Sequence, residues 1–445
     1  MSILDCQGLT GKVILPCDAE YNRARQEYNE AIDKCPLAIC YCCNIQDVVN
    51  ALLWSERRGI QVRIRSGGHN YEGYSVGTNK LVIDTSFMNG IRVHSEDDTV
   101  EVQAGTRLMH LYKTLYNSGY TFPGGTCPTV AISGLVLGGG IGLSTRYLGL
   151  TTDSLIEAQI VDANGNLLTA NHCQNEKLFW ALRGAGGGNF GVVTSYKFHL
   201  RKINKITLFQ LKWSNQSARL KFLQVWQEWL RNLDTRISAF GRIYKPGPWI
   251  FGFFYGYPEE ARQILEPFLS IPGIIFENIE YVDFIDAVKI IGEIYPKREA
   301  FKATGRFIER QLCHCELEKI IDIVEAAPTE DNSFIGLYSL GGAVRAMKTD
   351  STAFFYRQAN YIMGISSSWE CKAAAPAVIE WVESGFKYIY TLSMGSYVNF
   401  PYNNLPCYEC AYYGEHIQKL RSIKKEYDPH NVFEFPQSIK TVCCE

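Results

Sequence analysis

Two short stretches of this chain carry residues able to do chemistry. Arg65-Ser-Gly-Gly-His69-Asn-Tyr-Glu-Gly-Tyr-Ser75 is a glycine-rich turn that holds a histidine. Pro123-Gly-Gly-Thr-Cys127-Pro-Thr-Val130 holds a cysteine and opens a run dense in glycine that ends at Gly142. Glycine lets backbone N–H groups turn toward an anion with no Cβ in the way, which suits a pyrophosphate. An imidazole and a thiol beside such a cradle are two nucleophiles, and together they predict a prosthetic group held by two covalent bonds. The ordinary roles are a satisfied core or surface histidine and a small buried cysteine. Against them, His69 sits in a turn rather than on an apolar face, and Thr126 and Pro128 fix Cys127 in a non-helical turn. A single bond, through His69 alone, is the other arrangement.

The elements around these loops follow from periodicity. Residues 44–59 read as a helix, with Asn44 as cap, Asp47 in the first turn, Val48, Val49, Leu52 and Leu53 as an apolar stripe and Gly59 as stop. An apolar strand at 61–65 then delivers the His69 loop. Residues 81–84 and 99–103 read as short strands, and 106–119 as a helix with Leu108, Leu111, Tyr112 and Leu115 on one face. A hairpin over 155–162 and 167–170 turns at Asn164-Gly165. A short helix at 175–183 precedes the glycines of 184–191, and a strand at 192–200 follows. Gly186, Gly188 and Gly191 spell G-x-G-x-x-G, but a dinucleotide fingerprint needs a strand before it and a helix after it, and here the order is reversed. The polar stretch 18–33 reads as a surface helix.

Beyond residue 202 the texture changes. Aromatic-rich strands at 237–244, 249–257, 333–340 and 354–366 alternate with helices at 216–233, 259–269, 316–326 and 372–387. Strands plus long helices without regular βαβ order predict an α+β domain on an antiparallel sheet.

The totals set limits. A chain of 445 residues suggests two or three domain-sized units, and 46% hydrophobic residues allow a large core. A formal charge of −2 argues against nucleic acid or an anionic membrane as partner. No basic-then-apolar signal opens the chain and no apolar run is long enough to span a bilayer, so a cytoplasmic protein is expected. Fifteen cysteines then read as thiols rather than a disulfide framework. Cys40/Cys42/Cys43, Cys313/Cys315 and Cys443/Cys444 lack paired C-x₂-C spacing, and Cys407-Tyr-Glu-Cys410 has it without a second half, so no metal site is expected.

His69 within Ser-Gly-Gly-His and Cys127 within Gly-Gly-Thr-Cys-Pro-Thr-Val, followed by Gly-Gly-Gly-Ile-Gly at 138–142, resemble the attachment pair of the berberine bridge enzyme-like FAD-linked oxidases. The tail is similar too: Tyr397-Val-Asn399-Phe-Pro, Tyr412-Tyr-Gly, Tyr427-Asp-Pro-His-Asn431-Val-Phe and Gln437-Ser-Ile. The resemblance covers about residues 35–439. It implies a two-subdomain FAD-binding fold of the para-cresol methylhydroxylase type over 1–203 (core from about 35). A substrate domain over 204–394 would carry its helices on one face of an antiparallel sheet, and a segment over 395–445 would return to the FAD domain. It implies FAD bonded through the 8α-methyl carbon to His69 and through ring carbon C6 to Cys127. In the first loop it places Arg65, Ser66, Gly67, Gly68, Asn70 and Ser75 on the cofactor, and in the second Gly125, Thr126, Val130, Ser133, Gly134, Gly139 and Gly142. Asp153, Gly188, Gly191, Val193, Asn399 and Asn431 join them. For 184–191, a cofactor-lining loop and a plain helix-to-strand turn are the two readings.

The resemblance also implies a reaction: removal of a hydride from a carbon bearing oxygen or nitrogen, with O₂ reduced to H₂O₂. Tyr397 would take the substrate's proton. An ordinary tyrosine titrates near 10, so a nearby cation or the ring system would have to tune it. Tyr71 would stack on substrate or serve as a structural ring under its loop. Val130 matches a valine that leaves room for O₂ in plant relatives. Expected partners are O₂ and a sugar, oligosaccharide or secondary-metabolite substrate. Two positions depart from the family: Ile141 stands where many relatives have a tyrosine, and Leu135 where many have a histidine. Ile362, Met363 and Gly364 stand where some plant members place polar partners. Two further readings are a flavin-carrying binding protein with little turnover and a dehydrogenase that uses another acceptor.

Overall fold

In the computed structural model, which describes residues 4–441, the chain forms three β-sheets with helices between and around them. The first sheet holds β1 (Lys12–Ile14), β2 (Ala38–Tyr41), β3 (Val62–Arg65) and β4 (Leu81–Asp84), in the order β1-β2-β4-β3. β2 and β3 run parallel to β4 and β1 is antiparallel. β4 is buried along its whole length, as the centre of a covered parallel sheet must be. The helix Ile45–Arg57 covers it with Val48, Ala51 and Leu52, and the Asn44 side chain accepts the Asp47 N–H at 3.0 Å, the expected cap. β3 ends at Arg65, so the His69 loop leaves from the carboxyl end of a parallel strand, where open α/β sheets bind ligands.

The second sheet is antiparallel: β5 (Ile91–His94), β6 (Thr99–Gln103), β7 (Leu155–Val161), β8 (Leu167–Asn171) and β9 (Val192–His199), ordered β5-β6-β9-β7-β8. The expected hairpin is β7–β8, with Gly165 at φ +81° and the Asp162 carboxylate accepting the Asn164 and Asn166 N–H groups. The helix Leu108–Asn117 buries Leu108, Leu111, Tyr112 and Leu115, the face read from the sequence.

The third sheet is also antiparallel: β10 (Lys205–Trp213), β11 (Ile237–Ile243), β12 (Pro248–Phe254), β13 (Ile274–Asp283), β14 (Ala300–Ile308), β15 (Ser333–Ser339) and β16 (Tyr361–Trp369), ordered β13-β10-β12-β11-β15-β16-β14. The helices Ala218–Trp229, Pro258–Leu269, His314–Glu325 and Ala375–Thr391 pack on its strands. The other face looks onto a large cavity. The fold is α+β, as expected.

The tail runs back to the first half of the chain. Tyr413 donates to Ala185 O at 2.8 Å, and the Ile439 N–H to Asn189 Oδ1 at 2.9 Å. Buried Lys424 donates to Asn189 O, Asp428 and Phe433 O.

Two expectations fail. Residues 18–33 are not a surface helix: only Tyr21–Ala24 is helical, and Glu27 and Asn29 are buried. Asn29 Nδ2 donates to Tyr71 O and Phe301 O, so these polar side chains satisfy buried groups instead of facing water. The strand expected at 354–366 is Tyr361–Trp369; Phe354 and Tyr356 lie outside it, packed with Phe307 and Tyr397. Cys443 and Cys444 lie outside the described residues. Among those described, no three His, Cys, Asp or Glu gather as metal ligands, and no helix is long and apolar enough to cross a membrane.

Candidate active site

A cavity of about 1410 Å³ lies between the loops of the first half and the open face of the third sheet. Pockets for single drug-sized ligands hold roughly 300–1,000 Å³, so this one has room for a dinucleotide and a second molecule. His69 and Cys127 line it together. One residue joins them: Thr129 Oγ1 stands 3.0 Å from His69 Nε2 and 3.6 Å from Cys127 Sγ. The Arg107 guanidinium ties the two loops, donating to Gly67 O in one and to Thr129 O in the other. Tyr28 stacks on the His69 ring with centroids 4.1 Å apart. Burial, then the nearby Arg107 cation, holds the imidazole down to about 3, so it is neutral near pH 7. Burial pushes the Cys127 thiol up, opposed by hydrogen bonds from Thr129 and Val130.

Of the other expected residues, Ser66, Gly67, Gly68, Asn70, Ser75, Gly125, Thr126, Val130, Ser133, Gly134, Gly188, Gly191, Val193 and Asn399 all line the cavity. Several of their side chains are engaged within the protein. Ser75 donates to Glu27, Thr126 pairs with the Tyr295 hydroxyl at 2.6 Å, and Ser133 with that of Tyr196 at 2.6 Å. Gly67 must stay bare, because a Cβ there would meet Ala131 N at 2.7 Å.

Five expected residues stand off the cavity wall. Arg65 is buried behind it, bonded to Asp84 and 3.4 Å from Glu27, and so works as an internal counter-ion. Asp153 receives the Arg357 guanidinium at 2.7 Å. Gly139, at φ +111°, makes room for the Phe354 ring, and Gly142 lets the chain pass against Gly124 O. Asn431 holds a left-handed turn at φ +52°, its N–H on Asp428 O at 3.1 Å.

Tyr397 is 2% exposed, and its ring packs among Phe307, Phe354 and Phe400. Its oxygen accepts two hydrogen bonds at 3.2 Å, from the Gly140 N–H and from Asn399 Nδ2. Burial pushes the hydroxyl up to about 12, and those two donors pull the other way. Of the two sources of tuning anticipated, a nearby cation or the ring system, no cation is among the groups that shift it. Asn399 is itself fixed by donating to Leu135 O at 3.1 Å, and Gly138 is bare because a Cβ there would fall inside the Asn399 carboxamide. Tyr71 lines the cavity with one face covered by Phe400, the centroids 5.3 Å apart and the planes 9° from parallel. Burial drives its hydroxyl well above the ordinary range. Ile141 and Leu135 also line the cavity, so no second phenol or imidazole arises from those positions.

Residues 36–171 match the FAD binding domain family, and residues 396–440 match the family described as berberine and berberine like. An uncharacterised FAD-linked oxidoreductase of Bacillus subtilis, YgaK, is 34% identical over 97% of each chain. The chain belongs to the berberine bridge enzyme-like family of FAD-linked oxidoreductases. A xylooligosaccharide oxidase of Thermothelomyces thermophilus is 26% identical over 95% of this chain and 90% of its own. The solved structure of BBE-like 1 from Physcomitrella patens superposes with a TM-score of 0.93 at 29% identity, over 98% of both chains.

The residues present fit the FAD of a berberine bridge enzyme-like protein. Gly67, Gly68 and Gly188 leave a backbone cradle free of Cβ atoms, while Leu135, Leu137 and Val193 offer an apolar wall for a flat ring. Gly186, Gly187, Gly188 and Gly191 line this cavity, with a helix before them and β9 after them, as the reversed motif order required. Sequence reasoning missed Tyr28, Arg107, Thr129 and Arg242. Thr129 was within reach, two residues from Cys127; the others come from elements whose proximity only the fold supplies.

Proposed function

We propose that this oxidoreductase is an oxidase whose FAD is anchored to both His69 and Cys127. It takes a hydride from a hydroxyl-bearing carbon of a sugar, oligosaccharide or secondary-metabolite alcohol, and O₂ is reduced to H₂O₂. The observation that carries this reading is the Tyr397 hydroxyl: buried in the cavity wall, it accepts two hydrogen bonds, from the Gly140 N–H and from Asn399 Nδ2. Bound FAD supplies a two-electron acceptor for the substrate's C–H bond. Tyr397 takes the hydroxyl proton as that bond breaks, and Gly140 N–H and Asn399 Nδ2 hold the charge on its oxygen. Neutral His69 and the neighbouring Cys127, bridged by Thr129, supply the nucleophiles for attachment. Aromatic side chains on the sheet face, among them Trp249, Phe334 and Tyr338, suit the C–H faces of a sugar ring. The xylooligosaccharide oxidase relative supports the sugar class, and Val130 in the cavity wall supports access for O₂.

The test is Tyr397→Phe, assayed by anaerobic flavin bleaching against a panel of oligosaccharides and aromatic alcohols. Loss of the base is expected to slow reduction by about 10²- to 10⁴-fold with flavin content unchanged. A rate within a few-fold of the parent removes Tyr397 from the chemistry.

A further inference from the structure

One side chain on the cavity face of the third sheet serves no part of the mechanism above. Arg242 is the second-to-last residue of β11, and the antiparallel register sets it in a single cross-strand row: Trp249, Arg242, Gly336, Gly364, Gly305. Directly opposed residues share a face, so the whole row looks into the cavity. Phe240 on β11, Tyr244 just past its end, and Phe334 and Tyr338 on β15 line it as well. Rings enclose the Arg242 guanidinium: Phe334 at 4.7 Å, Trp249 and Phe251 at 5.6 Å, Tyr295 at 5.8 Å. It donates to the Tyr244 hydroxyl at 3.1 Å.

No carboxylate pairs with it among the described residues. Glu299, Asp331 and Glu370 line the same cavity, but none lies within ion-pair distance, and Glu299 is taken by the Tyr28 hydroxyl at 3.2 Å. A half-buried cation without a counter-ion carries a desolvation cost that ring faces offset only in part. A guanidinium has five N–H donors in a planar fork, and the Tyr244 and Tyr295 hydroxyls do not use all of them.

The three glycines of the row say where the other end of a ligand would lie. A Cβ on Gly336 would meet the Tyr338 ring at 3.1 Å, and one on Gly305 would meet the Phe400 ring at 3.1 Å. Bare positions let both rings lie against the sheet. Phe400 then contacts Tyr338 at 5.3 Å on one side and Tyr397 at 5.0 Å on the other. A continuous aromatic track therefore joins the proton acceptor to the cation.

We propose that Arg242 anchors a carboxylate, so that the substrate is a hydroxylated acid: an acidic sugar or an aromatic hydroxy acid. The guanidinium grips the carboxylate through two parallel N–H···O bonds while the hydroxyl-bearing carbon lies at Tyr397. This rests on the oxidase reading for the role of Tyr397, but the anchoring itself is a binding property and is measured as one.

The experiment is calorimetric titration of the purified flavoprotein with two matched pairs, D-glucuronate against D-glucose and 4-(hydroxymethyl)benzoate against 4-methylbenzyl alcohol. In at least one pair the acid is expected to bind at least about tenfold tighter, and the pair that shows it separates the sugar from the aromatic source. Arg242→Gln is expected to abolish that preference and leave the neutral member's affinity unchanged, while Arg242→Lys keeps part of it. Flavin content and melting temperature, measured alongside, show that each variant is folded. Equal affinities within both pairs for the parent protein, or a preference that survives in Arg242→Gln, overturn the proposal. So does a shift of the flavin spectrum or potential in Arg242→Gln with acid preference intact, which assigns the cation to the cofactor. Tight acid binding without anaerobic bleaching leaves the anchor standing and refutes the oxidase reading instead.

Discussion

Asn399 gives the sharpest test of how the base is tuned. Its amide donates one of the two hydrogen bonds that Tyr397 accepts, at 3.2 Å, and Asn399→Ala removes that donor and leaves the Gly140 N–H in place. A hydrogen bond to an ionised acceptor is worth about 1.5–3 kcal/mol. One pKa unit corresponds to about 1.36 kcal/mol, so losing that donor should push the phenol further up, enough to cut its ionised fraction about 10- to 100-fold. The sign follows from burial. The hydroxyl already titrates above the working range, so its ionised fraction climbs tenfold per pH unit below about 12. The logarithm of the flavin-reduction rate should therefore rise with pH from 7 to 10 without a plateau. In Asn399→Ala the same line should run parallel and about 10- to 100-fold lower. Gly138→Ala should reproduce the displacement, since its Cβ would take the place of the amide. Anaerobic stopped-flow across that pH range measures both lines. A rate within twofold of the parent, or a profile with no slope, refutes the reasoning. Asn399 also donates to Leu135 O, so a purely structural role would show as a lower melting temperature with the pH line unmoved.

Two other substitutions probe assignments the structure changed or placed. Arg65→Leu leaves Asp84 and Glu27 buried without their cation and should cost about 3–5 kcal/mol in denaturant unfolding; loss of flavin at unchanged stability would return Arg65 to the cofactor. Val130→Leu narrows the cavity wall and should slow aerobic reoxidation of the reduced protein at least about tenfold with little change in anaerobic reduction; unaltered reoxidation would take Val130 out of the path of O₂.

The two attachment loops were legible because glycine, histidine and cysteine in a turn have few other uses. What surrounds them was not. Arg107 flanks a helix start and reads as an ordinary exposed cation, yet it holds Gly67 O and Thr129 O at once. The stretch 18–33 has the composition of a solvated helix, but Glu27 and Asn29 spend their polar groups on buried partners contributed by strands and loops far along the chain. β14 hid for a similar reason: Lys302, Thr304 and Arg306 alternate with its apolar residues and break the aromatic texture of its neighbours. Arg242 lay in plain view on an aromatic strand, but that no carboxylate among the described residues pairs with it is a fact of three dimensions. Five of the cofactor positions carried over by resemblance, Arg65, Gly139, Gly142, Asp153 and Asn431, stand off the cavity wall, because a motif carries residues that hold a loop along with those that face its cavity.

The most direct measurement of the central claim is the intact mass of the acid-denatured protein. One FAD per chain should remain attached and vanish only in the His69→Ala/Cys127→Ala double variant, with each single variant retaining it. A parent chain at its bare polypeptide mass, beneath a yellow supernatant, contradicts the account.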